Sequence, residues 1–189
     1  MRGRIVKIAR MGEKVLRRKV ETVEVEEIKG KEIGELIEKM YSAMKGENSD
    51  GIGIAAPQIF VSKSVVMVEN LLMGVPKTIL FNPVYKECEW SGKIRVAESC
   101  LSVPGLIGDV ERHAKVRVSY LDEKGGKREL EATGFCSAMF QHEIDHLNST
   151  LFVDKVLPHT LSFLKEWESN IFPLHASLYC DEGQVTFLS

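Results

Sequence analysis

No stretch of the 189 residues is long and apolar enough to span a bilayer, and the Arg- and Lys-studded segment from Met1 to Leu16 lacks the apolar run of a secretory signal. There is no block of like charge, no internal repeat and no low-complexity segment. A net charge of −2 gives no bulk attraction to nucleic acid. The four cysteines, Cys88, Cys100, Cys136 and Cys180, show no CxxC pairing. These absences lead us to expect a cytoplasmic protein with no membrane partner and no direct nucleic-acid reading. In that reducing compartment its cysteines are thiols or ligands rather than disulfides. What is present is a globular composition, 44% apolar and 28% charged, on a chain long enough for one domain with a sizeable core.

Within it, Gln141-His142-Glu143-Ile144-Asp145-His146-Leu147 contains His-Glu-x-x-His. On an α-helix, residues i and i+4 lie one above the other. His142 and His146 can therefore offer ring nitrogens to one metal ion, while Glu143 reaches a metal-bound water without ligating the metal. This is the spacing of a hydrolytic metal site. Phe135, Met139, Phe140, Ile144 and Leu147 make the helix apolar on more than one side, so we expect it to be buried, opened at Thr133-Gly134 and ended at Asn148. Two histidines supply only two ligands, whereas a catalytic zinc-type site needs three and an open position. Cys100, His113, His159, His175 or a downstream glutamate could be the third. Of these, Cys100 sits in the most distinctive loop, Glu98-Ser99-Cys100-Leu101-Ser102-Val103-Pro104-Gly105.

Elsewhere, Glu32 to Met44 has the spacing of an amphipathic helix that packs on the core, and Lys45 to Asp50 is a polar loop. Gly51 to Gln58 is dense in small residues that let backbone approach something closely. Gln58 suits a polarised carbonyl oxygen, although taken alone the segment reads as a turn with a solvated glutamine. Ser64 to Glu69 and Thr78 to Tyr85 are β-rich, the second interrupted at Asn82-Pro83. Val116 to Leu121 and Lys127 to Ala132 form a hairpin around the turn Asp122 to Gly126. This order predicts an α+β fold, with mixed or antiparallel β-sheets packed around a central helix carrying the His-Glu-x-x-His motif. We read residues 1–189 as a single domain, with 157–189 a C-terminal tail without a motif. A short helix at Leu161 to Trp167 and a strand at Gln184 to Leu188 are expected there, with Trp167, Phe172 and Phe187 available for packing.

Three segments together resemble the peptide deformylase family. Gly51 to Gln58 matches its G-φ-G-φ-A-A-x-Q motif (φ apolar). Glu98 to Ser102 matches E-G-C-L-S, with Ser99 in place of glycine, and Gln141 to Leu147 matches Q-H-E-φ-D-H-L. Val103-Pro104-Gly105 and Arg112 also look like the family, and the resemblance runs from about Ile5 to Val156. It implies a hydrolase of protein biosynthesis that removes the formyl group from the N-terminal formylmethionine of new polypeptides, at or near the ribosome, and releases formate. It further implies one divalent metal ion on Cys100, His142 and His146, ferrous iron in the cell and replaceable by Zn²⁺, Ni²⁺ or Co²⁺. Glu143 is then the general base and acid, and Gln58 with the Leu101 backbone N–H receives the oxyanion. The substrate would lie along Ile52, Gly53 and position 99, near Glu98 and Arg112. Its methionine would enter a pocket of Ile52, Phe135, Ala138 and Met139 with His142 at the base. Glu98 is expected to order the cysteine loop.

Ser99 departs from the family glycine, and would be strained if the position needs positive φ. Two other readings share the motif. One is a metal-dependent endopeptidase, which commonly takes a third His or Glu. The other is a non-enzymatic structural metal module, in which Cys88 or Cys136 closes the site.

Overall fold

The strand Val65–Asn70 (β2) is apolar at consecutive positions because it is buried on both faces. Side chains alternate along it. Val66 and Val68 join one core cluster with Phe140 and Ile144, while Val65 and Met67 join another with Leu36, Met40 and Met44. The first partner helix is Gly134–Leu147 (α3) and the second is Lys31–Met44 (α2). A short helix, Val25–Ile28 (α1), precedes α2. The computed structural model describes residues 6–46, 51–171 and 183–188. His175, Phe172 and Cys180 lie outside these.

β2 belongs to a six-stranded sheet of order β1-β2-β3-β6-β7-β9. Its other members are Gly53–Ala55 (β1), Val75–Glu87 (β3), Lys115–Leu121 (β6), Lys127–Thr133 (β7) and Val185–Leu188 (β9). A second sheet has three strands, Lys93–Cys100 (β4), Val103–His113 (β5) and Ser162–Phe163 (β8). Every pairing between these strands is antiparallel. The architecture is thus helices with antiparallel sheets.

Most expected elements are present, and the differences have physical causes. The break at Asn82-Pro83 is a bulge inside one continuous strand. Asn82 adopts φ +50°, and its side-chain amide accepts from the Val23 N–H at 2.9 Å and donates to the Val23 carbonyl at 2.8 Å. The hairpin β4–β5 went unseen because charged residues break its apolar alternation. Across it lie Lys93 with Glu111, Arg95 with Asp109 and Arg112 with Glu98. The supposed loop Glu98 to Gly105 is the end of this hairpin. Cys100 pairs with Val103 around a turn at Leu101-Ser102, and the register shifts between Ser99 and Cys100. Pro104, Gly105 (φ +77°) and Leu106 bulge outward there. The tail is structured in part. Its helix, Leu164–Asn170 (α4), starts three residues later than expected because Ser162 and Phe163 pair with Ile107 and Leu106. Its strand β9 extends the large sheet along β7.

Helix α3 touches both sheets. All but Phe135 and His142 of its 14 residues are buried. The buried Gln141 amide holds it to the end of β5. Its oxygen accepts from His113 N at 3.1 Å, and its nitrogen donates to His113 O at 3.0 Å.

Candidate active site

At the meeting of α3 with the β4–β5 hairpin, Sγ of Cys100 and ring nitrogens of His142 and His146 lie within 4.8 Å of one another. Helical spacing puts the two imidazoles one above the other, with ring centroids 5.1 Å apart. Cys100 ends β4, so the hairpin turn fixes where its sulfur points. That sulfur is 3.4 Å from His146 Nε2. It also accepts from Ser102 N–H at 3.4 Å and from Gln58 Nε2 at 3.6 Å.

A buried ionic chain backs the cluster. His142 Nδ1 is 2.8 Å from Glu98 Oε2. Glu98 accepts from Arg112 Nε at 2.6 Å and Nη2 at 2.9 Å. Arg112 Nη1 donates to Asp145 Oδ2 at 2.5 Å, and Lys155 Nζ to the same oxygen at 2.7 Å. Glu98, Arg112 and Asp145 are 7%, 2% and 5% exposed, so each charge needs its partners. Arg112 was expected beside the substrate. Instead it is held within this chain and does not line the cleft, because two buried carboxylates require its guanidinium. Glu98 lines the cleft, but its carboxylate is engaged by Arg112 and His142.

Charge states follow from these contacts. Burial alone would raise the Glu98 carboxyl, but the bonds from Arg112 and His142 outweigh it and bring it to about 2. Burial would likewise raise the Cys100 thiol, yet the adjacent His146 and His142 hold it well below the usual thiol range. Against its own burial, His142 is held well above the usual imidazole range by Cys100 and Glu98. Glu143 is pushed up to about 7, chiefly by burial, with the two histidines pulling the other way.

Glu143 is 6% exposed, and among the described residues its Oε2 has no hydrogen-bond partner; the same holds for the buried His146 Nδ1. The glycine-rich segment explains how the carboxylate fits. A Cβ built on Gly53 would stand 2.4 Å from Glu143 Oε1, so glycine lets β1 pass there without displacing the carboxylate. Gln58, read alone as solvated, is 1% exposed. Its Oε1 accepts from Ala55 N at 2.7 Å, which turns Nε2 toward Ser102 Oγ at 3.2 Å and the Cys100 sulfur.

These residues fit one divalent cation. Three ligand atoms converge, the sulfur favours its anionic form, and the outer nitrogen of one imidazole is fixed on a carboxylate. Among the described residues the cluster includes none of Cys88, Cys136, His113 or His159. His113 is instead paired with Glu87 at 2.9 Å.

A cleft of about 1570 Å³ opens over the cluster. That exceeds the few hundred Å³ to about 1,000 Å³ of small-molecule pockets and suits an extended peptide. Of the residues expected along substrate, Ile52, Gly53, Ser99 and Leu101 line it, as do Phe135, Ala138, Met139 and His142. Ser99 is exposed there and lies outside the set of positive-φ residues, so serine carries no backbone strain. Sequence reasoning missed other lining residues, among them Ile8, Arg10, Tyr41, Leu106 and Leu164. It also gave Ser102 no role. Only the position of Ser102 inside the cysteine motif signalled it.

A thiolate and two imidazoles around a shared space, with a buried carboxylate beside them at the base of a peptide-sized cleft, define a metal-dependent hydrolase. The polypeptide deformylase family model matches residues 5–161. A peptide deformylase of Halothermothrix orenii is 41% identical over 154 residues, covering 81% of this chain and 94% of that one. Among solved structures, the Synechococcus elongatus peptide deformylase in complex with actinonin aligns with TM-score 0.74 and 34% identity, over 84% of this chain and 82% of that one. The Met-Ala-Ser-bound class I type b peptide deformylase of Acinetobacter baumannii aligns with TM-score 0.72 and 34% identity, over 80% of this chain and 98% of that one. The chain belongs to the polypeptide deformylase family, a family of metal-dependent enzymes.

Proposed function

We propose that this chain removes the formyl group from the N-terminal formylmethionine of newly made polypeptides in the cytoplasm, at or near the ribosome, as a single catalytic domain over residues 1–189. Helix α3 would be its central element. The observation that carries the reading is the cluster of Cys100, His142 and His146 with Glu143 beside it at the base of the cleft. Cys100, His142 and His146 would hold one divalent metal ion, ferrous in the cell, and when bound it would supply Lewis-acid polarisation of the formyl carbonyl and of an attacking water. A third ligand from cysteine favours this reading over an endopeptidase, and the lack of a fourth protein ligand among the described residues favours it over a closed structural site.

The chain's own groups do the rest. Glu143, buried and raised to about 7, takes a proton from the attacking water and returns it to the leaving amine. Gln58 Nε2 and the Leu101 N–H receive the charge that develops on the formyl oxygen. Gln58 is pre-oriented for this by its bond to Ala55 N. The peptide lies extended between Ile52-Gly53 and Ser99, and Phe135, Ala138 and Met139 take the methionine side chain. The Acinetobacter relative with Met-Ala-Ser bound supports a peptide in the matching cleft.

Formate release from formyl-Met-Ala-Ser tests the reading. It should be abolished by a chelator and restored by ferrous, nickel or cobalt ions, with no cleavage of internal peptide bonds. Cleavage of an internal bond in preference to formyl removal would overturn it.

A further inference from the structure

The side chain of Arg10 lies at the cleft and donates Nη1 to the carbonyl oxygen of Leu101. The same peptide unit, Leu101–Ser102, presents its N–H to Cys100 Sγ at 3.4 Å. One amide therefore has a guanidinium on its oxygen and a thiolate on its hydrogen. Hydrogen bonds in series through an amide polarise one another, so a cation at the carbonyl makes the N–H a stronger donor. The residues flanking Arg10 hold it in place. Ala9 N donates to Gln58 O at 2.7 Å, and Met11 N donates to Ser102 O at 2.8 Å. Three consecutive residues thus bridge the two segments that carry Gln58 and the Cys100 turn.

We infer that Arg10 is a positioning and tuning residue for the metal ligand Cys100, acting through the Leu101–Ser102 peptide. Its cation strengthens the Ser102 N–H bond to the sulfur and keeps the turn in the orientation that aims Cys100 at His142 and His146. Hydrogen bonds to a ligating sulfur withdraw electron density from it, and they are a general means of tuning a metal–thiolate site. Arg10 does not touch the reacting atoms in this role. The inference rests on Cys100 being a ligand, as proposed above.

The test is spectroscopic, on full-length protein loaded with Co²⁺. The wild type should show a thiolate-to-cobalt charge-transfer band. In Arg10→Met, which keeps an apolar stem and removes the donor, the band should move to lower energy, because a less hydrogen-bonded sulfur holds its lone pair less tightly. Arg10→Lys should return it toward the wild-type position. In a chelator competition Arg10→Met should bind metal on the order of tenfold more weakly, the lower end of the usual outer-sphere effect. Absence of the band from the wild type would overturn the ligand assignment and this inference with it. A band present in the wild type and unmoved in Arg10→Met would overturn the inference alone. If Arg10→Met does not fold, Arg10→Gln replaces it: a neutral donor should shift the band in the same direction by less, and an unmoved band there likewise overturns the inference.

Discussion

At the scale of single residues, the site depends on close fits that a one-atom change would break. Glu143 is held against the backbone of Gly53, with no room for a Cβ between them. The atoms in the way all belong to the Glu143 side chain and none to backbone, so Gly53→Ala should fold, with the strain falling on that side chain. Its Glu143 carboxylate would be displaced, and turnover should fall at least about tenfold, as a misplaced general base implies. Matching melting curves with unchanged turnover would show that the carboxylate's position is not critical. Glu143→Ala goes further. It should retain metal, measured by elemental analysis, and lose about a hundredfold to ten-thousandfold in kcat, because the residue serves as a base and not as a ligand. Loss of metal from this variant would make Glu143 a ligand instead.

At the scale of elements, helix α3 and the hairpin β4–β5 are joined by charge. Arg112 on β5 reaches Glu98 on β4 and Asp145 on α3, and all three are buried. Removing one partner from such a group leaves uncompensated buried charge. Arg112→Met should therefore cost about 3–5 kcal/mol in urea unfolding. It should also loosen His142, whose Nδ1 rests on Glu98. A loss below about 1 kcal/mol would mean that the two carboxylates find other partners or take up protons at little cost. Charge in place of apolar alternation is also why this hairpin escaped the sequence reading.

At the scale of the whole molecule, the N-terminal segment is tied to the chain beyond α3. Arg17 makes a two-point contact with Asp154 and also donates to Ser149 O at 3.1 Å. Asp154 caps Leu151 N at 2.7 Å. The bond from Arg17 lowers the Asp154 carboxyl in the folded state; burial opposes it, and the Leu151 N–H and the Arg17 charge add to the lowering. A group lowered on folding stabilises above its unfolded pKa, about 3.9 for Asp, and loses that contribution as pH falls through the folded value. Comparing unfolding free energies at pH 6 and pH 3 should therefore show a smaller drop in Asp154→Asn than in the wild type. The difference should be under about 1 kcal/mol, since the pair is more than a third exposed and screened by solvent. A steeper drop in the variant would reverse the assigned sign.

What the sequence alone determined was local. The i, i+4 spacing of His142 and His146, the burial and ends of α3, the helix α2, strand β2 and the β6–β7 hairpin all follow from periodicity and turn residues within a few positions of each other. The family motifs extended that reading to Cys100 and Gln58 by resemblance. Periodicity could not reach them, because Cys100 lies 46 residues from His146 and Gln58 lies 42 from Cys100. Only the tertiary structure decided that Gln58 is buried, that Arg112 serves the ionic chain and not the cleft, and that Arg10 rests on the Leu101 carbonyl. Each of these depends on strands and helices distant in sequence being packed together. Side-chain partners chosen by packing leave no periodic trace in the residues that make them.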